Sequence, residues 1–562
     1  FYNDADGVWA CGFPSPRDRQ AGGSTLISPS GSAWGALAHN DARFRFNLVV
    51  SPGQEIATTA ADYLEYALDL ESTKVVGLFI ETVRDPLGFV RALDKAARKG
   101  IPVVVLKVGR SERGAALALS HSGAIAGHDG AYQALFDRYG VIQVDTLDEL
   151  GASLLLFAAG RRAANGGVAV VHDSGGEREM AVDLAEQHAM PYAQINDATR
   201  ARLAARLDPG LEPGNPLDAW GTGKDYVQIF EECTKALLDD PDTAMAMLCA
   251  DIRDGYYLHD GYVEAMTAVV GKTAKPLAVA TNYTQVRHEG IAQRLTLAGI
   301  PVLDGTLNAM RAAKAMLAHR DFLARQADAP PPVPAALTAA KRETWRKRLR
   351  EGRPLAESEA LDLLRDYGVP ATPYRLVGGP EEASQAAAAL GFPVALKTAM
   401  PEILHKSDVG GVALGLADAA AVRAAYADMA KRLGPKALVA PMAPSGTELA
   451  LGVINDGQFG PVVMVAAGGI LVELLRDAAH GLAPFGTATA QRLIGKLRAA
   501  KLLAGVRGRK PADVTALADA VARLSVLAQD LGDLIAEIDV NPVIAGPAGI
   551  VAVDALVVPR KP

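Results

Sequence analysis

A loop of small residues around one histidine is the stretch of this chain best suited to chemistry. The loop runs from 120 to 127, and His121 is its only residue with a ring side chain. A neutral imidazole nitrogen is a nucleophile near pH 7. Because nothing bulky flanks the ring, two different partners could approach it in turn, as a carrier of phosphoryl groups requires. A lone loop histidine is more often a surface or packing residue, so this interpretation depends on the rest of the chain.

Two loops that join an expected strand to an expected helix offer places for an anion. They are formed by Ser30 with Gly31, and by Ser174 with Gly175 and Gly176. A helix start presents free N–H groups and a partial positive charge, so it stabilises phosphate. Small residues also serve as plain helix caps. The pattern alone leaves both interpretations open.

Glu81 ends an apolar run at 77–80. Sites in open parallel sheets lie at the carboxyl ends of the strands. A carboxylate there could hydrogen-bond one imidazole nitrogen and leave the other nucleophilic. Spacing does not separate this role from a simple ion pair with Arg84 or Arg91.

The last third of the chain carries residues suited to a nucleotide triphosphate. Lys397 stands at a strand end, and a Gly-containing loop at 404–412 holds a second lysine, Lys406. Ammonium groups and glycine backbone suit phosphates. Further on, oxygen-bearing side chains in 537–542 and at Asp554 occupy two adjacent expected strands, an arrangement that suits Mg²⁺. Solvated lysines and turn-forming Asn and Asp are the alternative interpretation.

Apolar runs separated by helical patterns predict the elements that position these residues. The runs lie at 24–28, 46–50, 75–80 and 101–106, and again at 167–171, 243–248 and 276–280. Continuous β-branched runs of this kind are typical of parallel sheets covered on both faces. We therefore expect an α/β protein with two doubly wound units in tandem. A proline-rich stretch at 327–335 then leads to a block with an α+β pattern.

Composition excludes several function classes. The 562 residues require several domains, and the content of 49% hydrophobic and 22% charged residues is typical of globular proteins. A net charge of −7 without a basic block argues against nucleic acid as the main partner. No apolar run reaches the ~18 residues that span a bilayer. The three cysteines are far apart, form no metal or disulfide pattern, and fit a reducing cytoplasm.

Taken in order, these motifs resemble those of the NDP-forming acyl-CoA synthetases, relatives of succinyl-CoA synthetase and of ADP-forming acetate–CoA ligase. The resemblance covers nearly the whole chain. The matching residues are Ser30-Gly31, Glu81, 120–123, 174–176, 215–218, Lys397, 405–408, Gly468-Gly469 with Glu473, and 537–542. The chain departs from the pattern at Pro29, where the family usually has Gln, and at His172-Asp173, where it tends to have Thr-Asn.

The resemblance implies a domain order. It identifies 1–22 as a linker after a CoA-binding domain that this numbering lacks, 23–162 and 163–326 as two flavodoxin-like ligase domains, 327–340 as a second linker, and 341–562 as an ATP-grasp domain. Members of the family are commonly dimeric, so we expect a homodimer.

The resemblance also implies a relay that consumes Mg-ATP, coenzyme A and a small carboxylic acid. His121 is the main phosphohistidine and Glu81 orients it, while the two helix starts neutralise the phosphate in turn. His405 is similar to a second carrier between ATP and His121. Lys397, Lys406 and Glu473 correspond to nucleotide-binding residues. Asn541 and Asp554 correspond to Mg²⁺ ligands.

Three functions remain open from the sequence. The first is ADP-forming synthesis of an acyl-CoA. The second is a lyase of the same superfamily that activates an unusual carboxylate as its thioester before elimination. The third is a regulatory or protein-acylating role, although such relatives often lack the catalytic histidine that this chain keeps. The acid itself, short aliphatic or aryl, is not readable from the sequence.

Overall fold

A computed structural model describes residues 1–10, 20–39, 41–111, 113–114, 129–403, 406–468, 477–506, 508 and 510–561. His121, His405 and Glu473 lie outside these ranges. The chain forms two compact units, one of residues 1–126 with 139–325 and the other of residues 127–138 with 326–562.

The first sheet of the first unit has a five-strand parallel core. The elements of this part of the chain are, in order, β1 (Tyr2–Asn3), β2 (Val8–Trp9), β3 (Ser24–Ile27), α1 (Gly31–Ala38), β4 (Phe46–Val50), α2 (Ala60–Ala67), β5 (Val75–Ile80), α3 (Pro86–Lys99), β6 (Val103–Lys107), α4 (Asp129–Tyr139), β7 (Ile142–Val144) and α5 (Leu147–Ala158). The strand order is β2-β1-β4-β3-β5-β6-β7, and β1 and β2 form an antiparallel edge. The parallel strands therefore follow the 2-1-3-4-5 order of flavodoxin-like folds.

The second sheet of the same unit is parallel throughout. Its elements are β8 (Gly167–His172), α6 (Gly175–His188), α7 (Asp197–Arg206), β9 (Leu217–Asp218), α8 (Tyr226–Asp239), β10 (Thr243–Cys249), α9 (Tyr257–Val270), β11 (Leu277–Thr281), α10 (Glu289–Leu297), β12 (Val302–Asp304) and α11 (Thr306–Leu323). The order β12-β11-β10-β8-β9 repeats the 2-1-3-4-5 pattern.

One core joins the two sheets. α5 is buried on nearly every side, as expected for a helix that is apolar all round. Its Leu150 and Leu154 share a buried cluster with Leu26 of β3 and Val170 of β8. Arg43 adds an ion pair to Asp304 at the end of β12, with 2.6 Å between Nη2 and Oδ2. The prediction of two doubly wound α/β domains in tandem is therefore confirmed, and these domains pack as one unit.

The second unit consists of antiparallel sheets and helices. Its elements are α12 (Ala339–Leu349), α13 (Glu357–Asp366), β13 (Arg375–Val377), α14 (Pro380–Leu390), β14 (Val394–Thr398), β15 (Val412–Leu416), α15 (Ala419–Leu433), β16 (Ala437–Pro441), β17 (Thr447–Asp456), β18 (Gly460–Ala467), β19 (Ala478–Leu482), α16 (Thr487–Lys496), α17 (Ala500–Leu503), α18 (Val514–Leu531), β20 (Ile535–Gly546), β21 (Gly549–Ala552) and β22 (Leu556–Pro559). One sheet has the order β13-β16-β14-β15, and the other has β19-β18-β17-β20-β21 with β22 paired to β20. This arrangement is the α+β block that the sequence predicts.

Helix α4 belongs to the second unit, although the chain enters it from β6 and leaves it for β7. The Tyr132 hydroxyl donates to Gln458 Oε1 at 3.0 Å, and its ring meets the ring of Phe459 edge-on with centroids 5.1 Å apart. Asp137 forms an ion pair with Lys496, with 2.6 Å between Oδ1 and Nζ. The chain therefore passes from the first unit into the second and back before the first sheet is complete.

Among the described residues, no helix is both long enough and apolar enough to cross a membrane.

Candidate active site

The first helix start is open at its N-terminal end. Ser30 caps α1, since its Oγ accepts a hydrogen bond from the backbone N–H of Ala33 at 3.3 Å. A Cβ added to Gly31 would meet nothing within 4 Å, so other atoms can approach the backbone there. Glu81 follows β5 directly, and β5 pairs with β3. Ser30 and Glu81 therefore lie at the same edge of the sheet, as the sequence predicts.

The second helix start is surrounded by carboxylates. Ser174 occupies the N-cap position of α6 but makes no capping hydrogen bond with its side chain. Asp173 follows β8, Asp218 ends β9 and Asp251 comes shortly after β10, while Glu177 lies in the first turn of α6. Strands β9, β8 and β10 are neighbours, so their carboxyl ends bring these acids to one edge.

Two of these carboxyls hold their protons unusually strongly. Burial raises the pKa of Asp173 to about 6, although the hydroxyl of Tyr262 donates to its Oδ2 at 3.1 Å and opposes the shift. Burial, together with the charges of Asp173 and Asp251, raises the pKa of Glu177 to about 7. Glu177 also accepts a hydrogen bond from Asn282 Nδ2 at 2.8 Å. The charge at this helix start therefore changes between pH 6 and 7.

An anion at α6 would meet opposing fields. The free N–H groups of a helix start attract it, and ionised carboxylates repel it. Protonation of Asp173 and Glu177 removes part of that repulsion. This helix start therefore attracts an anion more strongly when these acids keep their protons.

His172, at the end of β8, is fully buried beside this cluster. Neither ring nitrogen has a hydrogen-bond partner within the described ranges. Burial and the positive charge of Arg178 lower the pKa of His172 to about 4. The imidazole is therefore neutral at physiological pH and does not offset the carboxylates around it.

Lys397 is the centre of a buried charge cluster in the second unit. Its Nζ donates to Glu357 Oε1 at 2.7 Å, to Asp554 Oδ2 at 3.0 Å and to the carbonyl oxygen of Val553 at 3.0 Å. Lys406 Nζ lies 2.9 Å from the other oxygen of Glu357. The side chains of Lys397 and Glu357 are each 5% exposed. The two lysines that the sequence assigns to a nucleotide are therefore brought together by one carboxylate.

The cluster keeps Lys397 charged. Burial by itself would lower the pKa of this ammonium, but the Glu357 and Asp554 carboxylates raise it above its usual value. An ammonium held at a strand end in this way is a fixed positive charge for phosphate oxygens.

A bulge in β20 brings the backbone around Asn541 close to the segment that carries Asp554. Val540 pairs with Leu451 of β17 and Val543 with Leu449, so two residues of β20, one of them Asn541, oppose a single residue of β17. Such bulges redirect side chains. The N–H of Val553 donates to the Pro542 carbonyl at 2.9 Å, which holds Asp554 next to this point.

The donor set here is small but fits one metal. Asn541 and Asp554 supply an amide and a carboxylate oxygen, and partial burial with the charges of Glu537 and Asp554 raises the pKa of Asp539 nearby. Within the described ranges, no three His, Cys, Asp or Glu side chains gather closely enough to hold a metal ion unaided. Mg²⁺ commonly takes one or two carboxylates and completes its shell with water and substrate phosphates.

Glu357 is a member of this cluster that no sequence motif indicates. It lies in the first turn of α13, 40 residues from Lys397 along the chain. Acidic residues in a first turn usually complement the helix dipole, so the type and position of this residue gave no signal. Part of the acid cluster at α6 had a readable signal, since Asp173 and Asp251 each come shortly after an apolar run.

Comparisons with known proteins agree with this architecture. Residues 21–157 match the family model of the succinyl-CoA ligase like flavodoxin domain, and residues 347–558 match that of the ATP-grasp domain. The fold class is therefore that of flavodoxin-like ligase domains followed by an ATP-grasp domain, as predicted.

Three curated relatives match most of the chain. An ADP-forming acetate–CoA ligase I of Archaeoglobus fulgidus is 32% identical over 518 residues, which is 91% of this chain and 73% of that protein. An ADP-forming 4-hydroxybutyrate–CoA ligase of Nitrosopumilus maritimus is 30% identical, covering 93% and 76%. A trans-feruloyl-CoA synthase from an unknown prokaryote is 32% identical, covering 91% and 72%. With both domain types present, the chain therefore belongs to the NDP-forming acyl-CoA synthetase family, a family of ligases.

Proposed function

We propose that this protein joins a carboxylic acid to coenzyme A at the expense of ATP, with ADP and phosphate as the other products. The observation that carries the proposal is the identity of about a third of the residues, over nine tenths of the chain, to enzymes named as ADP-forming CoA ligases. The charge cluster around Lys397 supports it, because it places two lysines and an Mg²⁺-compatible donor pair in the ATP-grasp domain.

The nucleotide step uses the second unit. Lys397 and Lys406 attract the phosphate oxygens of ATP through their positive charge, and Glu357 holds the two ammonium groups together. Asn541 and Asp554 would hold Mg²⁺, and the ion, when bound, would supply positive charge for the transferring phosphoryl group. Glu473 is a further nucleotide-binding residue by resemblance. The oxygen–phosphorus bond to the γ-phosphoryl group breaks, a nitrogen–phosphorus bond forms on a histidine, and ADP leaves.

The acyl step uses the first unit. His121 carries the phosphoryl group, supplied directly or through His405, and Glu81 orients the imidazole. The carboxylate of the acid attacks phosphorus as the bond to His121 breaks, which gives an acyl phosphate. The thiolate of coenzyme A then attacks the acyl carbon and phosphate leaves. The helix starts at Ser30-Gly31 and Ser174 to Gly176 hold the phosphate in turn.

The carboxylic acid substrate belongs to one of several chemical classes. The names of the relatives include acetate, 4-hydroxybutyrate and trans-ferulate. These three acids form the first panel for this protein, each assayed by trapping the acyl phosphate with hydroxylamine. The domain boundaries, the homodimer and the cytoplasmic location inferred from the sequence stay predictions.

The relay is tested by incubation with γ-labelled ATP and Mg²⁺. The unmodified chain should acquire label that is acid-labile and base-stable, as phosphohistidine is. His121→Ala should lose that label, and His405→Ala should slow its appearance. His188→Ala, a substitution at a half-buried histidine in the last turn of α6, is the matched control and should label normally.

Label that survives in His121→Ala would contradict the assignment of the carrier. Absence of label in the unmodified chain, with ATP still bound, would contradict the relay in this chain.

A further inference from the structure

A cavity of about 700 Å³ lies in the first unit, away from the candidate active site. Its lining includes Lys74 just before β5, Pro102 just before β6 and Ala163 shortly before β8. These positions are the amino ends of parallel strands. Ser30 and Glu81 lie at the carboxyl ends, so the cavity opens at the opposite edge of the first sheet. Its volume is within the usual range for small-molecule sites.

The floor of the cavity is apolar. Leu68, Phe157, Met316 and Pro102 line it and are buried in the core. Leu323, near the end of α11, continues the same wall and is half-buried. A ligand with an apolar body of aromatic or branched aliphatic type would remove this surface from water.

Positive charge exceeds negative charge around the cavity. Three of its cations are already engaged: Arg161 and Arg320 donate to backbone carbonyls, and Lys99 donates to the carbonyl of Leu68. Lys74 and Arg162 differ from these three. Both are exposed, and neither has a hydrogen-bond or ion-pair partner in the part of the chain that the structure describes.

The acidic residues of the lining do not cancel this excess. Asp69 is paired with Lys95, with 2.8 Å between Oδ2 and Nζ. Glu71 is the other acid of the lining. Two free cations thus stand beside an apolar floor with one carboxylate left to balance them.

A buried histidine forms part of the cavity wall. His319 is 8% exposed and lines the cavity. Its Nε2 lies 3.4 Å from the Gly100 carbonyl, which makes Nε2 the donor and leaves Nδ1 as an acceptor. Nδ1 is itself buried and out of reach of the cavity, and it has no partner within the described ranges. Burial also lowers the pKa of His319, so the ring is neutral and adds no charge to the cavity.

We propose that the cavity binds a small organic anion, with an apolar body over the floor and the anionic group on Lys74 and Arg162. The anion is a carboxylate or a phosphate ester, since both accept hydrogen bonds from guanidinium and ammonium groups. The site touches both sheets of the first unit, and it does not depend on the proposed relay.

Indole-3-acetate is a suitable probe because it combines an aromatic body with a carboxylate. Calorimetric titration of the full chain should show binding in the micromolar to millimolar range. Indole-3-acetamide, which lacks the charge, should bind about tenfold more weakly. Tighter binding of indolyl phosphate than of indole-3-acetate would show that the site prefers a phosphate ester to a carboxylate.

Variants locate the binding. Lys74→Gln with Arg162→Gln should weaken indole-3-acetate by tenfold or more, and Ala324→Trp, at the rim, should block it. Arg202→Gln, a half-exposed surface cation in the same unit, is the control and should leave affinity unchanged. The cavity variants and the Arg202→Gln control should all acquire label from γ-labelled ATP at the rate of the unmodified protein, which separates this site from the relay. No binding at millimolar probe, or binding that the Lys74 and Arg162 substitutions leave unchanged, overturns the proposal.

Discussion

Both units contain a cluster of partly or fully buried carboxylates, and the charges that face these carboxylates differ. At the start of α6, the charges that act on Glu177 are those of Asp173 and Asp251. In the second unit, Glu357 is paired with Lys397 and Lys406. The first cluster holds protons near neutral pH, and the second holds ammonium groups.

The difference shows that residue type alone does not determine charge. A buried carboxyl among other carboxyls is stabilised by a proton, whereas a buried carboxyl between lysines is stabilised by ion pairs. The first cluster can therefore gain and lose charge during a reaction cycle. The second provides a constant arrangement of charge on which a nucleotide can be positioned.

The largest effect is expected from breaking the second cluster. Lys397→Met leaves the carboxylate of Glu357, 5% exposed, with one cation fewer. Removal of one partner from a buried pair costs about 3–5 kcal/mol of unfolding free energy. Urea unfolding of the variant and the unmodified protein measures this loss of unfolding free energy.

Two matched variants check the cause. Lys397→Met combined with Glu357→Gln removes one of the two carboxylates that faced the lost ammonium and should recover part of the loss, since Lys406 then lacks its partner. Arg423→Met breaks an exposed pair with Glu381 in the same unit and should cost less than about 1 kcal/mol. A loss for Lys397→Met as small as that for Arg423→Met would contradict the buried cluster.

The first cluster should give a pH-dependent effect of intermediate size. The folded-state pKa values of Asp173 and Glu177 are raised, so their contribution to stability is present below about pH 4 and is lost as the pH rises through 6 and 7. Asp173→Asn with Glu177→Gln should therefore stabilise the protein at pH 8, by on the order of 2 kcal/mol. Unfolding followed from pH 4 to 8 measures the difference between the two proteins.

The double variant must be compared with the unmodified protein because His172 changes the free energy of unfolding with pH in the opposite direction. Its lowered pKa destabilises the fold as the pH falls from 6.5 towards 4. That contribution is common to both proteins and cancels in the difference. A gap that is equal at pH 4.5 and pH 8 would show that these carboxyls do not titrate as described.

The smallest effect concerns the two helix caps. Ser30→Ala removes a capping hydrogen bond and should cost about 1 kcal/mol. Ser174→Ala removes no such bond and should change the unfolding free energy by a few tenths of a kcal/mol. Thermal unfolding at one pH compares them, and equal losses would contradict the difference between the two helix starts.

The sequence predicted the parallel sheets well because their signal is local. The apolar runs at 46–50 and 75–80 coincide with β4 and β5. Strand order and the placement of Ser30 and Glu81 at one edge then follow from general topology. The Lys397 cluster was only half predicted, because Glu357 approaches it through the tertiary fold.

The electrostatics were the least predictable part. The sequence shows that Asp173 and Glu177 flank a helix start, but their pKa values depend on burial and on Asp251, which arrives from another strand. The cavity beside Lys74 and Arg162 is likewise assembled from four separate stretches of chain. Neither property can be read from a window of neighbouring residues.

Helix α4 has a consequence for how this protein would behave if it were divided. A cut in the proline-rich segment at 327–335 would yield an amino-terminal fragment that still contains Tyr132 and Asp137. Those side chains pack on Phe459 and Lys496, which belong to the other fragment. The two fragments should therefore copurify as a heterodimer, in which helix α4 of the amino-terminal fragment packs on the carboxy-terminal fragment.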